Sequence, residues 1–257
     1  MTAISVVIIT FNEEKNIGRC IDSVKNIADE IIVLDSLSTD NTAAIAKSMG
    51  AVVYQQAFAG YIEQKNKALS YATHQYVLSL DADEAIDAVL EKSIAELKKN
   101  ITHKGYSINR CTNYCGKFIR YGSWYPDKKL RIFDNREARF GGVNPHDFIE
   151  FNSPQPIQHL KGEILHYSYN SLEEHIIQNN RFSTISAEAY LKKGKKSNWF
   201  KIIINPAWAF INDFIFRRGF LNGFYGYVIA KNIAHLTFMK YYKLYALQKG
   251  LSVRTKN

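Results

Sequence analysis

Four short runs of Val, Ile, Leu and Tyr, at 4–10, 30–35, 51–54 and 76–80, constrain the first hundred residues more than any other feature of the chain. Runs this short and this apolar read as strands buried on both faces, the habit of parallel sheets flanked by helices. Helical patterns separate them. Ile17, Cys20, Ile21 and Val24 fall on one helix face, Ala43 to Met49 reads as a second helix stopped by Gly50, and Ala68, Leu69 and Ala72 mark a third. The βαβαβαβ order predicts a doubly wound, Rossmann-like α/β domain whose ligands lie beyond the carboxyl ends of the strands. Those ends carry Thr10-Phe11-Asn12-Glu13, Asp35 and Asp81-Ala82-Asp83-Glu84.

Beyond this segment a further amphipathic helix is expected over 87–100, with Val89, Leu90, Ile94 and Leu97 inward. Residues 105–170 read as aromatic strands, with turns at Tyr125-Pro126-Asp127 and Gly141-Gly142-Val143-Asn144-Pro145. A polar helix over 171–193 leads into the basic loop Lys192-Lys193-Gly194-Lys195-Lys196. Charge divides the chain as sharply. Residues 1–100 carry 9 Lys/Arg against 14 Asp/Glu, whereas 101–257 carry 24 against 10, and from Arg181 onward only Glu188 and Asp213 oppose 14 basic side chains. Such a surface suits an anionic partner. Cys20, Cys111 and Cys115 are too few and too unevenly placed for a disulfide framework or a zinc site. They read as reduced thiols of a cytoplasmic protein, and no signal peptide is evident at the N-terminus.

The acidic strand ends suggest chemistry. Asp81-x-Asp83 follows the apolar Tyr76-Val77-Leu78-Ser79-Leu80, and two carboxylates on a tight strand exit can hold a hard divalent cation that bridges to phosphates. Such a cation neutralises a departing diphosphate. A D-x-D alone also occurs in solvated turns; its place at the sheet edge gives it weight. Asp35 can accept a hydrogen bond from a base ring N–H, while Ser38 or Asp40 suffices to cap the helix that follows. A nicotinamide oxidoreductase would need Gly-x-Gly-x-x-Gly after the first strand, and Thr10-Phe11-Asn12-Glu13-Glu14-Lys15 supplies no glycine. A non-catalytic basic module for membranes or nucleic acid on the same fold remains the alternative, but it leaves the acidic ends without a purpose.

Val6-Val7-Ile8-Ile9-Thr10-Phe11-Asn12-Glu13, then Val33-Leu34-Asp35-Ser36 with Ser38, Asp40 and Thr42, then Leu80-Asp81-Ala82-Asp83-Glu84 resemble the successive signatures of family 2 glycosyltransferases. Gln64-Lys65-Asn66-Lys67-Ala68-Leu69, Leu130-Arg131-Ile132-Phe133, His146-Asp147, Ile164-Leu165-His166-Tyr167-Ser168-Tyr169 and Arg218-Gly219-Phe220-Leu221-Asn222-Gly223 are similar to segments of the WaaE/KdtX-like lipopolysaccharide-core glucosyltransferases. That branch commonly has His-Glu at His146-Asp147 and Asp at Asn222. The resemblance implies a GT-A fold, with a mostly parallel sheet, in residues 1–170. Its nucleotide-binding half would be 1–100 and its acceptor-side half 101–170, followed by a helical basic appendage over 171–257. It implies that Thr10, Asn12, Glu13 and Asp35 line the base and ribose pocket, that Lys65 lies near the diphosphate, and that Asp81 approaches ribose and metal. Asp83 would ligate Mg²⁺ or Mn²⁺, His166 would complete the metal shell or touch phosphate, and Glu84 would stand behind the site or begin a helix.

An inverting transfer needs a base on the acceptor side, opposite the leaving group. Asp147 is the candidate, with Glu150 and Asp127 in reserve and His146 orienting the loop. The expected partners are a nucleotide-sugar donor, most plausibly UDP-linked, and a glycolipid or saccharide acceptor, with no nucleic acid. The stretch from Trp199 to Phe216 is apolar but interrupted by Lys201, Pro206 and Asp213. This suits an in-plane helix on an anionic membrane better than a span. The protein is thus expected to be peripheral on the inner face of the cell membrane, with Arg217, Arg218, Lys240 and Lys243 facing headgroups. Packing of the tail on the core is the lipid-free alternative.

Overall fold

The structure, a computed structural model, describes residues 1–144 and 146–254, the His146 side chain excepted. The apolar runs form the expected alternation: β1 (Ile4–Thr10), α1 (Ile17–Val24), β2 (Glu30–Asp35), α2 (Thr42–Ser48), β3 (Val52–Gln55), α3 (Tyr61–Leu69) and β4 (Tyr76–Asp81). α1 buries Ile17, Cys20, Ile21 and Val24, the four residues its spacing selects. The turn after α2 closes at Gly50, where a φ of +87° favours a residue without Cβ. α3 ends at Leu69, so Ala72 lies beyond the helix it was expected to extend. β1 runs parallel to both β2 and β4, with Thr10 opposite Asp35 and Ile9 opposite Asp81. The register therefore brings three polar strand ends level with one another.

The chain continues through β5 (Glu84–Ile86), α4 (Ala88–Leu97), β6 (Gly105–Tyr114), β7 (Lys117–Phe118), β8 (Asp127–Asp134), β9 (Ala138–Val143), β10 (His146–Phe151) and β11 (Ile157–Tyr169). The main sheet has the order β3-β2-β1-β4-β8-β6-β11-β5, with β7 paired to β6, and β9 and β10 form a separate ribbon. β3, β2, β1 and β4 are parallel; β8 is antiparallel to β4 and β6, and β11 to β5. Four strand spacings in a flat sheet would part β4 from β5 by about 19 Å. The chain from Asp81 to Glu84 spans at most about 10 Å. The sheet must therefore curl, returning β5 beside the end of β4.

Successive residues of β1 feed two cores. Ile4, Val6 and Ile8 pack with α1, α2 and α4, while Val7 packs with Ala68 and Leu69 of α3 and Phe140 of β9. Each fully buried aliphatic chain contributes about 1.5–3 kcal/mol, which fixes the strand register. Asp87 caps α4 by accepting from the Leu90 N–H at 2.7 Å. Leu90, Ile94 and Leu97 form its inner face, but Val89 is 54% exposed, against the inward placement expected. One residue is about 100° of helical turn, and that step carries Val89 off the face its neighbour Leu90 occupies.

Met1–Cys111 with Asp127–Tyr167 forms one compact unit; Thr112–Pro126 with the chain from Ser168 onward forms a second. The second contains α5 (Leu172–Lys192), α6 (Trp199–Ile211), a π-turn at Asn212–Phe216, a 3-10 turn at Gly219–Asn222 and α7 (Phe224–Gln248), with α5 and α6 both packed on α7. Ser171 and Asn198 cap α5 and α6 through their side chains. Asn222 accepts from the Arg120 N–H and donates to the Tyr121 carbonyl, a two-way clamp that uses both halves of its amide. His175 is buried among Tyr114, Trp124 and Tyr169, with Nδ1 3.0 Å from the Tyr114 hydroxyl, and burial lowers its pKa to about 4. Lys243 does not face solvent as expected. It is buried between α5 and α7, donating to the Asn180 carbonyl and side chain, Ser183 and Thr184, because a buried ammonium must find acceptors. Lys240 lies against the rings of Tyr190 and Tyr241, and Arg217 and Arg218 are exposed.

Candidate functional site

In the first unit the chain steps outward from β1 through β2 to β3 and then crosses back to β4 on the other side of β1, and this reversal opens a crevice at the carboxyl ends of β1 and β4. A cleft of about 480 Å³ lies there, lined by Thr10, Phe11 and Glu13 after β1, Ser36 after β2, Asp81, Ala82 and Asp83 after β4, and His166 of β11. Phe58 and Tyr61, edge to face at 5.1 Å, complete the lining. Both rings are about half exposed, as is Phe11. Exposed aromatic faces beside half-buried carboxylates suit a ligand with a flat ring at one end and charge at the other.

Behind the cleft the charges are interlocked. Glu84 is fully buried: its Oε2 accepts from the Asp81 backbone N–H at 3.0 Å, and its Oε1 lies 2.6 Å from Arg131 Nη2. Arg131 Nη2 also stands 3.5 Å from Asp81 Oδ2, and Arg110 Nη1 lies 3.5 Å from Glu84 Oε1. Lys65, itself buried, spans two carboxylates: its Nζ is 3.3 Å from Asp81 Oδ1 and 2.9 Å from Asp147 Oδ2. Burial alone would raise the Asp81 carboxyl, but Lys65 and then Arg131 hold it well below the usual carboxylate range. Burial likewise works against a charged Arg131, and Glu84, Asp81 and Asp147 outweigh it and secure the guanidinium charge. Glu13 goes the other way. Desolvation raises its carboxyl against the hydrogen bond from Asn16, and Asp83 and Asp40 add to the rise.

Thr10, Glu13, Asp81, Asp83 and His166 thus line one cleft, and Lys65 and Asp147 join it through Asp81. Asn12 and Asp35 do not line it. Asn12, at a φ of +54°, accepts from the Thr39 N–H and its own N–H donates to the Ser38 hydroxyl. Asp35 is fully buried and accepts from the Ser38 N–H, the Ser38 hydroxyl and Gln55 Nε2. Both hold the loop that follows β2, and Ser36 stands at the cleft wall in place of Asp35. Glu84 begins a strand, not a helix, because the curling sheet needs β5 immediately after the turn. Of the reserve carboxylates, Asp127 is paired with Arg110 and Lys129, and Glu150 lies over Gly141. The expected orienting role of His146 concerns a side chain outside the described residues.

Sequence reasoning missed Phe58 and Tyr61, and it named Arg131 only within a family-like segment, without a role. The signal for Arg131 is legible: a charged residue in the apolar run Leu130-Arg131-Ile132-Phe133 must be paired if the strand is buried. Among the described residues no three His, Cys, Asp or Glu side chains converge as a ready cation cage. Asp83 Oδ2 and His166 Nε2 do face each other at 3.2 Å. Of the buried oxygens of cleft residues, Thr10 Oγ1 has no hydrogen-bond partner, and Asp81 Oδ1 has the Lys65 ammonium at 3.3 Å in place of one.

The profile described as Glycosyl transferase family 2 matches residues 5–155, more than half of the chain, from the second residue of β1 through β10. The chain belongs to glycosyltransferase family 2. An uncharacterized glycosyltransferase of Rickettsia typhi is 34% identical over 100% of this chain and 90% of its own length. The lipopolysaccharide core biosynthesis glycosyltransferase LpsC of Rhizobium meliloti is 29% identical over 95% of this chain and 94% of its own. Among solved structures, the glucosyl-3-phosphoglycerate synthase of Mycobacterium tuberculosis, in complex with Mn²⁺, uridine diphosphate and glucosyl-3-phosphoglycerate, is 27% identical over 45% of each chain, at a TM-score of 0.35. The glycosyltransferase thus has the GT-A type of α/β fold that its N-terminal signatures imply, followed by C-terminal helices.

Proposed function

We propose that this glycosyltransferase moves a sugar from a nucleoside diphosphate donor, UDP-linked by preference, to a hydroxyl of a glycolipid or lipopolysaccharide-core acceptor, with inversion at the anomeric carbon. One observation carries the reading: Asp81 and Asp83 stand at the switch point of the sheet, and Lys65 ties Asp81 to a second carboxylate, Asp147, on the neighbouring ribbon. The base and ribose lie between Thr10, Glu13 and the rings of Phe58 and Tyr61, with Asn12 and Asp35 shaping that wall from behind. Asp83 and His166 fit Mg²⁺ or Mn²⁺, since a hard cation at a phosphate site takes one or two protein ligands and leaves its other positions to phosphate and water. Asp81 lies beside them. The cation, when bound, neutralises charge on the leaving diphosphate.

Lys65 gives the site an order of events. Its ammonium is shared by Asp81 and Asp147, and a diphosphate brings more negative charge than either carboxylate. Donor binding draws Lys65 toward phosphate and releases Asp147 to take the acceptor hydroxyl proton as that oxygen attacks. Arg131 and Glu84 keep Asp81 fixed meanwhile, one on its carboxylate and one on its backbone N–H. Residues 1–100 serve the donor, 101–170 the acceptor side, and the basic helices from 171 onward rest on an anionic membrane where a lipid-linked acceptor resides. No helix among the described residues is long and apolar enough to cross a membrane, and α6 has no buried residue, which suits an in-plane element. The test is a transfer assay with a panel of nucleoside diphosphate sugars and a lipopolysaccharide-core acceptor, following the anomeric proton by NMR. A product of opposite anomeric configuration is expected. Retained configuration sinks inversion, and the absence of both transfer and hydrolysis with every donor sinks the reading as a whole.

A further inference from the structure

Within the second unit, Pro206, Ala207, Phe210 and Ile211 of α6 and Lys231 and Ala234 of α7 line a groove of about 390 Å³. The α6 residues sit at i, i+1, i+4 and i+5, one stripe of that helix, and the α7 pair is one turn apart. Ala207 and Ala234 leave the space that larger side chains would fill. Lys231 is the one charged or polar side chain in the lining, with its Nζ 6.0 Å from the Phe210 ring centre. Around the groove the charge is of one sign. From Trp199 to Gln248 the single acidic residue is Asp213, and it is buried, accepting from the Ser123 N–H. Lys201, Arg217 and Arg218 are exposed. So are Trp199, Ile203 and Trp208, at 71%, 58% and 57%.

These features narrow the occupant. A peptide would bury backbone N–H and C=O groups against a wall that offers almost no hydrogen-bonding group. A second copy of this chain would bring the same excess of positive charge to the contact. A hydrocarbon chain needs no hydrogen bonds, and an anionic headgroup satisfies the cation at the rim.

We propose that the α6–α7 groove is a lipid subsite, holding one acyl chain of an anionic lipid whose headgroup lies at Lys231. The assignment deepens the membrane reading of the second unit and rests on it: the exposed crest of α6 meets the bilayer surface, and the groove takes a single lipid from it. The probe is monomeric dihexanoylphosphatidylglycerol, titrated into the full-length protein below its micelle concentration and followed by tryptophan fluorescence and calorimetry. Saturable binding is expected, weaker for the phosphatidylcholine analogue and absent for glycerophosphoglycerol, which lacks the chains. Ala234→Trp fills the groove and should weaken binding about ten-fold or more, the worth of a few buried methylenes. Ala234→Met, a smaller plug, covers the case in which tryptophan disrupts the helix pair. Lys231→Glu should abolish the preference for phosphatidylglycerol over phosphatidylcholine. Sedimentation with anionic vesicles should survive Ala234→Met, since the α6 crest is untouched. The proposal is overturned if the monomer never saturates, if both Ala234 variants bind it as the parent does, or if the chain-free headgroup competes equally. Failure of the parent protein to sediment with vesicles, with monomer binding intact, would instead strike the membrane reading and leave the groove in place.

Discussion

At the carboxyl edge of β1 and β4, Lys65 and Arg131 are buried and each already spans two carboxylates, whereas along α6 Trp199, Ile203 and Trp208 stand in solvent beside Lys201. The two regions answer different costs. A charge taken out of water without a partner costs several kcal/mol, so the cleft must settle its charges internally before any ligand arrives. Exposed apolar surface carries no such obligation and can wait for a partner from outside. The comparison teaches that the first unit is preorganised for a polar, multiply charged ligand, with its dipoles and charges already aimed. The second leaves apolar side chains exposed beside positive charge, the combination that the proposed membrane contact would use.

The sharpest way to break this contrast is to disable the proposed base without disturbing the donor side. Asp147→Asn should lower turnover by about 10²–10⁴-fold while nucleotide binding persists. Steady-state kinetics beside a nucleotide titration reads both, and near-normal turnover would move the role to Glu150. Next in size is Arg131→Met, which strips the buried Glu84 of its 2.6 Å partner and leaves it with Arg110 at 3.5 Å. Breaking a buried pair this way costs about 3–5 kcal/mol, to be measured by urea unfolding. A loss under about 1 kcal/mol would mean that the network is more hydrated than its burial implies.

The second unit has a buried group of its own, and it sharpens the comparison through pH. His175 has its pKa depressed to about 4 by burial, so the folded state resists a proton that the unfolded chain accepts near its ordinary value of about 6.5. Stability contributed by the neutral ring is therefore complete above that ordinary value and is lost as pH falls from about 6.5 toward 4, by up to about 3 kcal/mol. Urea midpoints of the parent and His175→Phe across this window should differ in slope, with the variant flatter; parallel slopes would place the acid sensitivity elsewhere. The smallest effect belongs to the exposed charges. Replacing Arg217 or Arg218 with Ala should weaken vesicle binding only about five-fold each, with the difference shrinking as salt rises. Salt-independent binding would leave apolar contact as the whole attraction.

Most of the first unit was legible because its pattern is redundant. Period, strand length and the stop at Gly50 agree on the same elements, and Asp81 and Asp83 stand where a doubly wound sheet puts its ligands. The limits are equally physical. That Asp35 turns inward to Ser38 and Gln55 depends on tertiary packing no local pattern encodes. In the sequence Glu84 fits a place behind the site as well as a helix start, because the curl that recruits β5 is a property of the whole sheet. Lys243 counted as surface charge until α5 supplied its acceptors. Arg131 was within reach of the rule that a charge in an apolar strand needs a partner, though the identity of that partner was not.

The central claim is that the Asp81-x-Asp83 edge holds a nucleoside diphosphate together with a divalent cation. Calorimetric titration of UDP into the parent protein and into Asp83→Ala, each with and without Mn²⁺, tests it most directly. The account predicts that Mn²⁺ tightens binding to the parent at least about ten-fold, about 1.4 kcal/mol, and has no effect on Asp83→Ala, whose unfolding midpoint stays near that of the parent. Equal enhancement by Mn²⁺ in a folded Asp83→Ala would contradict it, because the cation would then be held by other residues.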